Sequence, residues 1–431
     1  MSYGAEVHPL DNVKSAWFTD PPMARERPSS PVHPFGPGTM LQLIRQGDGA
    51  TRADLAALTG LARSTIAQRL EQLQAQDLLR QAGESESTGG RPPTLFAFNE
   101  DAGFVLAADL GATHSRLAVT NLGGRVLAEE SGEIEIAAGP ERVLDWVDER
   151  FHALLRETGR GDDDVYGIGI GVPGPVEHAT GRPRNPPIMP GWDGYAIPER
   201  FTDRYAVPVL VDNDVNIMAL GEHWTHWSEV DHLLFVKVGT GIGCGVVVDG
   251  QIHRGADGAA GDIGHIRVAV EDEAEDVTCT CGNVNCLEAL AGGGAMADRL
   301  RAQGLDAPHS RAVVELARSG EAAAVQLVRE SGRLIGEVLA ALVNLYNPSV
   351  IVIGGDVSQA HEQLLAGIRE VVYQRSLPLA TRHLRIVRSQ LEDRAGVIGA
   401  AVMVIEHLLS PATIDAAIAA APPDKQAFAL G

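Results

Sequence analysis

Cysteine is scarce in this sequence, with four residues in 431, too few to form a disulfide framework in so long a chain. Aromatic residues are few as well, with five Trp, six Tyr and nine Phe, so aliphatic side chains must fill the cores. No continuous apolar run approaches the roughly 18 residues of a membrane span. No basic stretch followed by an apolar run opens the sequence, as a secretory signal would require. A cytoplasmic protein without a membrane partner is therefore expected. Positive charge is also short. Thirty-five basic residues face 57 acidic ones, for a net charge of −22, which makes a poor general binder of nucleic-acid phosphate.

What is plentiful points to an α/β protein. Hydrophobic residues make up 45% and glycines number 48, enough for large cores joined by many tight turns. At roughly 150 residues per domain, the length suggests about three. The charge deficit is uneven. Residues 1–39 are net −1, residues 40–80 net +1 and residues 81–100 net −2, which leaves −20 for residues 101–431.

Residues 1–38 read as a disordered tail, with prolines dispersed among Ser, Gly and charges and no periodic apolar face. Residues 39–100 form the next unit. Short helical patterns cover Met40 to Arg45, Arg52 to Leu58 and Arg63 to Ala75. Thr51 with Asp54 suits the start of the second, and Gly60 its end. In the third, Ile66, Leu70 and Leu73 share one face. Arg63, Ser64, Thr65, Gln68, Arg69 and Gln72 lie largely on the other. Residues 78–98 read as a β-wing, and Gly89-Gly-Arg-Pro-Pro93 places Arg91 in a rigid arm. Three helices and a wing predict a winged helix-turn-helix whose third helix enters the major groove. A small helical adaptor or oligomerisation module is the blander reading of the same pattern.

Residues 101–410 alternate strands and helices. A three-strand meander from Phe104, followed by helix and strand units, recurs from Leu233. Two similar α/β lobes with a cleft between them follow, and residues 411–431 read as a C-terminal tail. Asp109-Leu-Gly-Ala-Thr-His-Ser-Arg116 and Gly239-Thr-Gly-Ile-Gly243 are glycine turns between strands. Gly111, Thr113, Arg116, Gly239, Thr240, Gly241 and Gly243 are candidates to approach phosphate, with Asp109 placing a metal or water. Gly354 and Gly355, after a buried strand, could back a base or ribose. Asn213 and Asp214 sit at a strand end before a helix. There Asp214 could act as general base and Asn213 could orient the substrate, although both are also ordinary caps.

The sharpest signal is His265 with Cys279, Cys281 and Cys286. One imidazole and three thiolates suit a structural Zn²⁺. Glu288 and Asp262 flank this set, and with Asn213, Asp214 and His265 they suit a polyhydroxylated ligand such as a sugar.

On these motifs, residues 40–408 resemble the ROK family of sugar kinases and sugar-responsive repressors, in particular its long members with an N-terminal winged helix. The resemblance implies an actin-like, hexokinase-like two-lobed fold and a homodimer or homotetramer. It implies sugar contacts at Asn213, Asp214, Asp262, His265 and Glu288, with Gly181 and Arg182 as a further sugar-side loop. In kinase members it implies ATP with Mg²⁺ at the glycine turns and Asp214 as catalytic base. The sequence departs from the family pattern at Ala112, Asp262, Asn285 and Asp356, where Gly, Glu, Gly and Gly are usual. These departures weaken the nucleotide site without erasing it. The expected function is a sugar-sensing regulator that binds double-stranded operator DNA. The alternative is an active ATP-dependent hexose or N-acetylhexosamine kinase.

Overall fold

The computed structural model describes residues 35–47, 49–84, 93–269, 276–360 and 362–420. Most of the expected N-terminal tail, residues 1–34, lies outside them, as does Arg91. Helix α1 (Pro37–Arg45) begins inside the segment read as tail, with Pro37 in its first turn, where a missing N–H costs nothing. Strand β1 (Ala50–Thr51) leads into α2 (Arg52–Thr59). A reciprocal cap closes that helix start: Thr51 N donates to Asp54 Oδ2 at 2.9 Å and Asp54 N to Thr51 Oγ1 at 3.3 Å. Gly60, at φ 69°, ends the helix. Helix α3 (Arg63–Ala75) and strands β2 (Leu79–Glu84) and β3 (Thr94–Phe98) complete the unit. The sheet order is β1-β3-β2, all antiparallel. Ile66, Leu70 and Leu73 pack with Met40, Ile44, Leu55 and Phe96 in one cluster. This is the expected winged helix-turn-helix.

The first lobe opens with the meander β4 (Phe104–Leu110), β5 (His114–Asn121) and β6 (Val126–Glu133). Helix α4 (Pro140–Glu157) then returns the chain to β7 (Val165–Val172), parallel to β4. A small hairpin, β8 (Val176–Glu177) and β9 (Arg182–Pro183), and helix α5 (Glu199–Tyr205) precede β10 (Val209–Asn213). The resulting sheet is β10-β7-β4-β5-β6. Helix α6 (Asp214–His226) crosses to the second lobe.

The second lobe repeats the plan. Its meander is β11 (Leu233–Val238), β12 (Ile242–Val248) and β13 (Gln251–Ile252). Helices α7 (Leu287–Ala291), α8 (Gly293–Ala302), α9 (Ser310–Arg318) and α10 (Ala322–Tyr346) follow. Strand β14 (Val350–Gly354), helices α11 (Glu362–Arg375) and α12 (Pro378–Thr381), and strand β15 (Arg385–Arg388) complete a sheet ordered β13-β12-β11-β14-β15. In both lobes an antiparallel meander is extended by two parallel strands: the duplication that the recurring pattern predicted, and the actin-like fold that the family resemblance implied. Helices α8 and α9 carry no counterpart in the sequence reading.

Helix α13 (Ala395–Leu408) is buried along nearly its whole length and packs against α6, β4 and β7. Its crossing with α6 requires Gly399, since a Cβ there would lie 1.7 Å from the Ile217 carbonyl oxygen. The segment expected as a C-terminal tail is instead helical over α14 (Pro411–Ala420); residues 421–431 lie outside the described residues. Ile414 is fully buried and joins the cluster of the N-terminal unit. Asp415 Oδ1 accepts from Gly38 N at 2.8 Å, placing a carboxylate at the first turn of α1, where the helix dipole favours it. The short apolar period of Pro411–Ala420 was too brief to separate from a tail. Among the described residues, no single helix is long and apolar enough to cross a membrane.

Candidate functional site

A cavity of about 750 Å³ opens between the lobes, within the range of small-ligand pockets. Its floor is set by strand ends. Asn213 ends β10 and caps α6, its Oδ1 accepting from Val215 N at 2.9 Å while its Nδ2 donates to the Gly174 carbonyl at 3.0 Å. The capping role and the cavity position therefore coincide in one carboxamide. Asp214 is the first residue of α6 and is 3% exposed. Asp109, near the end of β4, faces the same space. Burial pushes its carboxyl up to about 7; Lys237 and Arg116 act against that shift and Asp214 adds to it.

Lys237 escaped the sequence reading. Its ammonium contacts Asp214 Oδ2 and lines the cavity. Burial alone would lower this lysine, yet the Asp214 and Asp109 carboxylates hold it above its ordinary value. The available signal was a single charge inside the apolar strand Leu233–Val238, directly before the second glycine turn. Asn185, Arg311 and Asp356 also line the cavity and were not singled out as site residues.

Both glycine turns face the cavity, with Gly111, Thr113, Arg116, Gly239, Thr240, Gly241 and Gly243 all on its wall. Several of their polar groups already have partners within the chain. Arg116 pairs with Asp393 and, at 3.8 Å, with Glu129. Glu288 Oε2 accepts from Ile242 N at 3.1 Å. A Cβ on Gly241 would lie 2.0 Å from that oxygen, so the glycine makes room for the carboxylate. Gly355 reaches the cavity, but Gly354 does not: it lies beneath the Phe235 ring, which a Cβ would meet at 2.3 Å. Asp356, where glycine was expected, accepts from Ser310 Oγ at 3.0 Å and pairs with Arg311 at 3.4 Å. An ion pair thus stands where a third glycine was expected.

Asp262, His265 and Glu288 also line the cavity, on the same lobe as the second glycine turn. His265 presents Nδ1 to Cys279 Sγ at 3.6 Å and Nε2 to Asp262 Oδ1 at 4.0 Å. One ring nitrogen faces the thiols and the other faces the cavity side. The ligand atoms of His265, Cys279, Cys281 and Cys286 all lie within 4.8 Å of one another, so this cluster could hold a metal ion. The backbone N–H of Asn283, together with the neighbouring thiols, lowers the Cys281 thiol, whereas burial and the same neighbours raise that of Cys286. Asn285 adopts φ 56° and is fully buried. Asparagine tolerates that left-handed backbone, which explains how it replaces the usual glycine. Its Oδ1 also accepts from Val277 N at 2.8 Å. Cys244, read as a core residue, is 3% exposed, and burial pushes its thiol up to about 12.

Two expected groups fall elsewhere. Gly181 and Arg182 belong to the β8–β9 hairpin and do not line the cavity. Arg182 instead donates to the Gly194 carbonyl at 2.7 Å and pairs with Glu199 at 2.9 Å. On α3, Arg63, Ser64 and Gln68 are exposed and Thr65 is half-buried. Arg69 is buried, and its Nη1 lacks a hydrogen-bond partner among the described residues. Its position three residues after Ile66 and four before Leu73 puts it on the flank of the apolar stripe, so it is not part of the exposed polar face.

The comparisons with known proteins agree with this architecture. The chain is 30% identical over 386 residues to the xylose repressor of Caldicellulosiruptor bescii, covering 86% of this chain and 95% of that one. A crystal structure of a ROK family transcriptional regulator, a homologue of the E. coli MLC protein, superposes with a TM-score of 0.74 at 27% identity. It covers 88% of this chain and 96% of its own. A ROK family glucokinase from Streptomyces griseus, in complex with glucose and AMPPNP, gives a TM-score of 0.59 at 27% identity, covering 70% of this chain and 99% of its own. The repressor matches therefore span more of the chain than the kinase match. The ROK family model matches residues 105–407, and on that match the chain belongs to the ROK family.

Proposed function

We propose that the chain is a sugar-responsive transcriptional repressor. The observation that carries the reading is the junction of a winged helix-turn-helix to a two-lobed cleft through one continuous apolar cluster, which runs from Met40 and Ile66 to Val397 and Ile414. The relative named as a xylose repressor matches most of this chain, which supports the same reading. Arg63, Ser64, Thr65 and Gln68 are the candidates for base edges and phosphates of double-stranded operator DNA. A homodimer or homotetramer would present two such helices to half-sites about one helical turn apart. Asn213, Asp214, Asp262, His265 and Glu288 would receive sugar hydroxyls. Closure of the lobes would then shift α6 and α13, and with them the N-terminal unit. The sugar must prefer one of the two states, because equal affinity for both shifts nothing.

The thiol cluster fits Zn²⁺, since three soft thiolates and an imidazole favour that ion. His265, Cys279, Cys281 and Cys286 would hold it, and it would supply structural rigidity. His265 would keep Nε2 free for the sugar.

Gel retardation of the chain's own promoter region, with and without xylose, glucose and N-acetylglucosamine, tests the proposal. One sugar should change the retardation, and no binding to any genomic fragment at moderate salt would defeat it. Asp214 facing the cavity together with both glycine turns favours the kinase as a second reading. A coupled ADP-release assay with the same sugars separates the two, because turnover lost in Asp214→Asn would establish the kinase.

A further inference from the structure

Lys237 stands out in sequence and in space. The basic residues of this sequence are arginines, apart from Lys14, Lys237 and Lys425, and only Lys237 lies within the described residues. It sits on β11 with Gly243 opposite on β12 and Gly354 opposite on β14. Directly paired residues share one face of a sheet. The paired positions are both glycines, and the space over them is taken by the Phe235 ring and by Val215. Helix α6 covers this face, since a Cβ on Gly243 would meet Val215 at 2.8 Å. The lysine stem runs to the start of α6, where its ammonium meets the Asp214 carboxylate. The Asp214 side chain is only 5% exposed and that of Lys237 25%. Asp109 borders the same group from the other lobe.

We propose that Lys237 is a built-in cation of the cleft. Its ammonium pairs with Asp214 and offsets the charge that Asp109 carries above about pH 7, where a divalent cation would otherwise bind between them, and it fixes Asp214 as a hydrogen-bond acceptor. The cleft then takes the hydroxyls of a neutral sugar with no metal ion between these carboxylates. This rests on the sugar-sensor reading and explains how Asp109, Asp214 and both glycine turns persist in a sensor. Two carboxylates facing one cavity would repel each other if left bare. The lysine removes that repulsion without recruiting an ion from solution.

The test uses the full chain and Mn²⁺ alone, without sugar, nucleotide or DNA, and reads free Mn²⁺ by its electron paramagnetic resonance signal. The wild-type chain should show no Mn²⁺ binding that depends on Asp109. Lys237→Met keeps the stem and removes the charge. It should bind Mn²⁺ tighter by about tenfold or more, the scale of one unit charge at contact distance. That gain should vanish in Lys237→Met with Asp109→Asn. If Lys237→Met does not fold, Lys237→Gln serves with the same expectation. The proposal is overturned if the wild-type chain already binds Mn²⁺ in a way that Asp109→Asn abolishes. It is equally overturned if a folded charge-removing variant gains nothing over wild type. Neither outcome bears on DNA retardation, so the repressor reading stands or falls separately.

Discussion

At Asp109 the balance of burial against charge sets a pH dependence. The native carboxyl keeps its proton up to about 7, whereas an unfolded aspartate loses it near 3.9. Unfolding then releases a proton between those values, so this group's contribution to stability falls as pH rises from about 4 to 7. Asp109→Asn should flatten the melting temperature across that window, and an unchanged slope would refute the assignment. Arg69 and Asn285 make a second pair of tests. Because Arg69 is buried, Arg69→Ala should change the melting temperature, while Arg63→Ala should cost about 1–3 kcal/mol of operator binding without altering the fold. Titrating both variants on operator DNA and melting them separates the two roles. Asn285→Ala combines a strained backbone with the loss of two part-buried hydrogen bonds, with Val277 N and Asp276 Oδ1, costing about 1–3 kcal/mol. Asn285→Gly retains the left-handed backbone and should fall between wild type and Asn285→Ala on melting.

Among the elements, α14 decides how the N-terminal unit is held. It contributes the fully buried Ile414 and the carboxylate at the start of α1. Ending the chain at Ser410 removes both, about 1.5–3 kcal/mol for the apolar side chain and about 1 kcal/mol for the hydrogen bond. Amide exchange over α1 should accelerate more than exchange over β4 or β11, and uniform acceleration would show that α14 has no local role. Other elements were legible beforehand. The capping pair Thr51 and Asp54 marked α2, and Ile66, Leu70 and Leu73 marked α3. The apolar runs at Val165–Val172 and Leu233–Val238 matched β7 and β11. Helix α14 was hidden because its packing partner, α1, lies some 370 residues upstream, and local pattern carries no information about such a contact. Arg69 differs: its spacing of three from Ile66 and four from Leu73 already placed it on the flank of the stripe, and its charge drew it onto the polar face instead.

Across the whole molecule, the site divides by how local its causes are. The thiol cluster and the glycine turns were readable because metal ligands and tight turns restrict residue type at short spacing. The pairing of Lys237 with Asp214, and the diversion of Arg182 to Glu199, depend on elements meeting in space and left little trace in the chain. The thiol cluster ties these scales together. His265, Cys279, Cys281 and Cys286 could hold a metal ion directly before α7, whose Glu288 reaches the second glycine turn. Removing the metal with a chelator should lower the melting temperature and weaken sugar binding together, and re-adding Zn²⁺ should restore both. Calorimetry with elemental analysis before and after chelation would check this, and loss of metal with sugar affinity intact would separate the cluster from the cleft.

The isolation of Lys237 also makes it a reporter. Chains grown on ¹⁵N-lysine would carry isotope only at Lys14, Lys237 and Lys425. One resonance in an otherwise nearly silent spectrum would then come from the floor of the cleft. Its displacement on adding a sugar would register occupancy of the cleft directly.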